Sequence, residues 1–179
     1  MKKQSLIIIY AFLFSALFVV NTNAQYEVGK HYAGPSIGLS FLGSTAQFGL
    51  NYEYAFTIQN FGTVGAGGIF RYWSYKVGFF EGSWSYTNIL IGGQFNYHFK
   101  IDNKKFDPWA GAVLAYDAGS VNTSYSGNIQ RDEPTHGGLW LGFQGGARYW
   151  ITPTIALTGR VGFGTLSYGA LELGVDFKF

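Results

Sequence analysis

A period of two, repeated from Tyr32 to the C-terminus, limits this chain more than any other feature. In the last stretch, residues 168–179, Leu171, Leu173, Val175, Phe177 and Phe179 alternate with Glu172, Asp176 and Lys178. A strand of this kind holds one face in an apolar medium and the other in a polar one.

The same alternation marks eight segments: 32–42, 46–57, 63–74, 86–99, 106–118, 139–150, 154–166 and 168–179. In the second, Phe48, Leu50, Tyr52, Tyr54 and Phe56 oppose Gly49, Asn51 and Glu53; in the sixth, Leu139, Leu141, Phe143 and Tyr149 oppose Trp140, Gln144, Gly146 and Arg148. The fifth is the least regular, with Ala110, Ala112, Leu114 and Tyr116 against Trp109, Gly111, Val113 and Asp117. Throughout, one face is almost free of charge and the other carries Gly, Ser, Asn, Gln and isolated charges.

Volume decides which face is inside. Eight strands enclose little space, and five or more large side chains per strand would not fit within it. Turning those residues outward to lipid, with small and polar residues inside, resolves the conflict and predicts an all-β fold, an eight-stranded antiparallel up-and-down transmembrane β-barrel. The composition agrees: 47% hydrophobic and 20% aromatic residues with only 12% charged suits a chain whose surface is partly out of water.

The N-terminus gives the route. Lys2 and Lys3 precede an apolar run from Leu6 to Val20, and Asn21-Thr22-Asn23-Ala24 offers small residues before a cut at Gln25. Residues 1–24 are expected to be a cleaved signal peptide and 25–179 the barrel domain, because the run falls short of the roughly 20 residues a spanning helix needs. Removing Lys2 and Lys3 from 12 basic residues leaves 10 against 10 acidic ones, so no basic surface for nucleic acid is expected. Without Cys, no disulfide framework, thiolate metal site or lipid-bearing thiol is available.

Connection lengths orient the barrel. The links 43–45, 75–85, 119–138 and 167 alternate with 58–62, 100–105 and 151–153; the two longest belong to the first set, which is expected outside the cell. Tyr54, Phe56, Tyr97, Phe99, Phe106, Tyr149, Phe177 and Phe179 then fall at the periplasmic rim and Phe41, Phe48, Tyr72, Tyr116 and Phe163 at the outer one, as two aromatic girdles.

On these segments the chain resembles the small eight-stranded outer-membrane barrels of the OmpX type and the OmpA transmembrane domain, over essentially all of the mature chain. The sharpest local match, Glu172-x-Gly174-x-x-Phe177-x-Phe179, resembles the C-terminal signal such proteins present to the barrel-assembly machinery, with Gly174, Phe177 and Phe179 as its residues. The resemblance implies the outer membrane of a diderm bacterium, contact with outer-membrane lipids and lipopolysaccharide, and a monomer. No domain is expected beyond Phe179, so cell-wall tethering is not carried over.

Chemistry is sparse. Inward charges Glu53, Arg71, Arg148, Arg160, Glu172 and Asp176 are expected to form one lumen network, with Arg160 opposite or diagonal to Glu172 or Asp176. Such a network plugs a narrow lumen rather than gating it. A lipid-modifying enzyme is the main competitor, behind it a narrow channel or an accessory subunit of an envelope complex. His31 precedes the first strand, His98 lies inward at a periplasmic end, and His136 in the third outer link lacks an aligned Ser and an orienting group. No catalytic, cofactor or metal site is expected, since no ligand spacing occurs and the G-x-G sequences lie in strands. Phe79, Phe80 and Trp84 remain as candidate exposed contacts on the second outer link, where a ribbon could meet an extracellular or envelope protein. The expected role is structural or surface-interacting, adhesion-like and without catalysis.

Overall fold

The computed structural model describes residues 26–80, 82–125 and 134–179. The expected signal peptide and the charged residues 131–133 lie outside that set.

Nine strands form in chain order: β1 (His31–Ser40), β2 (Thr45–Ile58), β3 (Gly62–Phe79), β4 (Gly82–His98), β5 (Phe106–Asp117), β6 (Ser120–Tyr125), β7 (Gly138–Trp150), β8 (Ile155–Gly164) and β9 (Gly169–Lys178). Neighbours pair antiparallel, and β9 returns to pair with β1, which closes the sheet. Strands β5 and β6 lie on the same edge of β4 in one register: Leu90 faces Asp117, the Ala118 amide donates to the Ile89 carbonyl (2.8 Å), and Thr87 faces Ser120. They are one stave, so the barrel has eight, as the alternation requires.

The differences from the sequence reading lie at the rim expected to face out. Residues 75–85, expected as a link, continue β3 and β4 up to a tip between Phe79 and Gly82. The first part of the link 119–138 becomes β6 and makes this extension three-stranded. Cross-strand aromatic pairs hold it: Tyr75 stacks on Tyr86 at 4.7 Å and Phe79 packs against Trp84 at 4.5 Å.

Alternation sets the faces. Leu39, Phe48, Leu114, Leu141, Phe163 and Leu173 are uncovered by protein, while their neighbours turn inward. Both expected aromatic rims are present. Tyr54, Phe99, Phe106, Tyr149, Phe177 and Phe179 are exposed at one rim, and Phe41, Phe48, Tyr72, Tyr116 and Phe163 at the other. Phe56 and Tyr97 are half-covered, Tyr97 because Phe61 packs edge-on against it at 5.3 Å.

The seam between β1 and β9 is interrupted at Gly34 and Pro35, where proline has no N–H to give. It resumes at Ala33 opposite Phe177, and His31 and Phe179 exchange backbone hydrogen bonds of 2.9 and 3.0 Å at its end. Gly174 lies on this seam facing Ser36, and a Cβ there would meet the Pro35 carbonyl at 2.6 Å. The three residues of the expected assembly signal therefore also help close the barrel.

Candidate functional site

The barrel interior stacks in layers. At the end bearing the chain's first described residues, Arg148 from β7 gathers three carboxylates. Its Nε donates to Asp176 Oδ2 (2.6 Å), Nη1 to Asp107 Oδ2 (3.3 Å) and Nη2 to Glu53 Oε2 (3.5 Å). Asn96 and Tyr26 also donate to Glu53, at 2.6 and 2.5 Å. His98 bridges Asp107 Oδ1 and Glu53 Oε1, each at 2.8 Å. Both ring nitrogens face oxygens that only accept, so the imidazolium form satisfies both.

Aromatic rings close this layer. Tyr26 stacks on His98 at 3.5 Å and on Tyr32 at 4.6 Å, and Trp150 meets Tyr32 edge-on. Arg148 lies 5.3 Å from the Tyr32 ring centre, adding a cation–π contact to its ion pairs.

The second layer is centred on Glu172. Arg71 reaches it with two nitrogens, Nε and, at 2.8 Å, Nη2; Gln47 donates to the same carboxylate. Arg71 Nη2 also donates to Asn51 Oδ1 (2.7 Å), which accepts from Arg160 as well. The free space here is a cavity of about 20 Å³, room for one water.

Above it sits an apolar layer of Ile69, Trp73, Leu90, Val113, Ala115, Trp140, Tyr168 and Ala170, all buried. Sequence reading did not foresee a hydrophobic seal inside the polar lumen. Parity places these residues inward, but only closure shows that they meet.

The expected single network is instead two. Glu53, Arg148 and Asp176 belong to the first layer, Arg71, Arg160 and Glu172 to the second. Arg160 does stand opposite Glu172 in the β8–β9 register, yet it forms no ion pair among the described residues. Its guanidinium lies 4.9 Å from the Trp109 ring centre and bonds Asn51, with Nε and Nη2 unpartnered. Arg71, from across the lumen, occupies Glu172 first. Asp107, Tyr26, Asn51 and Gln47 were missing from the expected network. Asp107, Asn51 and Gln47 could have been found by counting parity on their strands, whereas Tyr26 precedes the first strand and carries no such signal.

At the outer rim, Phe80 is 81% exposed at the ribbon tip, while Phe79 and Trp84 are half-buried against each other. Of the three candidate contacts, Phe80 alone stands clear. His136 lies over the mouth beside Asn88 (2.6 Å), and no hydroxyl bonds to it among the described residues. No group of three or more His, Asp or Glu able to hold a metal occurs among the described residues.

No family model and no curated protein matches the sequence. Solved structures match it in fold. The outer membrane protein OprG from Pseudomonas aeruginosa superposes with a TM-score of 0.59 at 10% identity, covering 89% of this chain and 99% of that one. The N-terminal β-barrel domain of Pseudomonas aeruginosa OprF gives 0.55 at 14%, covering 85% and 98%. Neisserial surface protein A gives 0.50 at 20%, covering 84% and 95%. At these identities the likeness is one of fold.

A closed barrel, apolar outside and polar within, is the form in which β-structure crosses a bilayer. The chain has the fold of the small eight-stranded outer-membrane barrels, with an apolar belt suited to a bilayer.

Proposed function

We propose that this barrel has a structural or surface-interaction role, adhesion-like, with a packed and non-conducting lumen and without catalysis. The observation that carries the reading is the pairing of a filled lumen with a ribbon of β3, β4 and β6 that rises past the outer girdle. On its β2 side, β3 is paired only up to Trp73, so backbone groups of 74–78 extend beyond that ladder, where an extended protein segment could add. Phe80 at the tip adds an apolar contact. The girdles would meet outer-membrane lipids and lipopolysaccharide in this reading. Gly174, Phe177 and Phe179 would present the C-terminal strand to the barrel-assembly machinery, and the protein would act as a monomer.

Deleting residues 77–83 is expected to abolish capture of envelope or extracellular proteins by the purified barrel while leaving heat-dependent gel migration intact. Undiminished capture would remove the ribbon from the proposal. Lipid modification is the second reading, and His136 is the residue that raises it. It is disfavoured because that ring is engaged with Asn88 and has no nucleophile beside it among the described residues. Lipid A of identical composition from strains with and without the protein is the expected result.

A further inference from the structure

The apolar seal of the lumen is also the floor of a cavity of about 350 Å³ at the outer mouth, within the size range of small-molecule sites. Trp73, Tyr75, Trp140 and Tyr168 contribute its aromatic lining, and Asp117 is the one acidic residue among the described residues that line it. No lysine or arginine lines it or pairs with Asp117 among those residues.

Asn88 fixes the chemistry. It satisfies its neighbours when its amide nitrogen faces Asp117 Oδ2 (2.9 Å) and His136 Nε2 (2.6 Å) and its oxygen accepts from Trp73 Nε1 (3.2 Å). His136 Nε2 then accepts a hydrogen bond, which requires the neutral ring. Among the described residues, Asp117 Oδ1 has no side-chain hydrogen-bond partner although the residue is 95% buried. With no lysine or arginine beside it among the described residues, this buried carboxylate favours a cationic ligand over a neutral or anionic one.

Two backbone features hold this arrangement. Gly137 has φ of 86°, and a Cβ there would meet the Asp117 carbonyl at 2.5 Å; a Cβ on Gly119 would strike His136 at 2.4 Å. Glycine at both positions lets the loop close onto the stave. Across the mouth, Leu166 and Ser167 both line the cavity at positive φ, 56° and 54°, conformations that non-glycine residues hold only when their surroundings impose them.

We propose that the outer mouth binds a small organic cation with an apolar body, seated among Trp73, Tyr75, Trp140 and Tyr168 with its charge toward Asp117. Aromatic lining favours such a cation by cation–π attraction as well as by burial. An anion would face Asp117, and a metal ion would find a single carboxylate among the described lining residues, too few hard oxygen ligands to hold it. The floor is sealed, so the ligand enters and leaves from the same side. This site is independent of the ribbon's surface role.

The test titrates the folded, full-length mature barrel in nanodiscs with phenylethylammonium and, separately, with the neutral isostere 2-phenylethanol, read by tryptophan fluorescence. Saturable binding of the amine is expected, with the alcohol about tenfold weaker or worse. Asp117→Asn should weaken the amine by a similar factor and leave the alcohol unchanged. Thr135→Trp, on the loop that lines the cavity, should remove saturation without touching the lumen and serves if the Asp117 variant misfolds. Non-saturating, lipid-like partitioning of the amine, equal binding of amine and alcohol, or undisturbed binding in Thr135→Trp would each overturn the site.

Discussion

Arg148 and Arg160 are both buried arginines on neighbouring strands, but their surroundings differ. Arg148 faces Asp176, Asp107 and Glu53, so Arg148→Ala would leave mutually repelling buried carboxylates and should cost about 3–5 kcal/mol. Arg160 has a ring and an amide oxygen rather than a carboxylate, so Arg160→Ala should cost less, about 1–2 kcal/mol, since removing a buried guanidinium with unpartnered nitrogens offsets part of the loss. Urea unfolding from lipid vesicles, followed by gel mobility, measures both. Equal losses would mean that Arg160 is paired after all. At this scale the sequence showed which charges point inward, because parity along a strand is local. It did not show that Arg71, not Arg160, takes Glu172: β3 and β9 are separated by β2 and β1, and only curvature brings their side chains together.

Among the elements, the turn between β8 and β9 carries stored strain. Thr165 to Tyr168 closes with a 3.2 Å bond from the Tyr168 amide to the Thr165 carbonyl, and its central residues have the positive φ that Asn-Gly adopts readily. Replacing Leu166 by Asn and Ser167 by Gly together should stabilise the barrel by about 1–2 kcal/mol, read as a raised urea midpoint. No gain would mean that Leu166 contributes packing at the mouth worth as much as the strain. Strand boundaries inside the membrane were legible to within a few residues because lipid imposes a strict alternation there. Above the rim that constraint ends, which is why the extension of β3 and β4 and the whole of β6 read as links.

The whole molecule should behave as a closed, filled cylinder. Unboiled protein is expected to migrate differently from boiled protein on a denaturing gel, because all staves pair on both sides and resist detergent until heated. Identical migration would contradict the closed barrel. Planar bilayers containing the wild type or Arg160→Ala should stay silent, since the middle layer leaves about 20 Å³ free and the apolar layer lies above it. Stable large channels from Arg160→Ala would show that this arginine, rather than the packed layers, blocks the lumen.

The amino-acid sequence by itself determined the membrane strands, their number as staves and which face is apolar and outward, because each follows from alternation and bulk along a single chain. It also carried the C-terminal signature, whose phenylalanines prove to be part of both the girdle and the seam. Only the tertiary structure decided how the inward residues divide into two ionic layers and an apolar seal, that Tyr26 caps the inner one, and that Asp117, Asn88 and His136 meet over an aromatic cavity. These are contacts across the lumen between residues distant in sequence, set by closure and stagger of the staves.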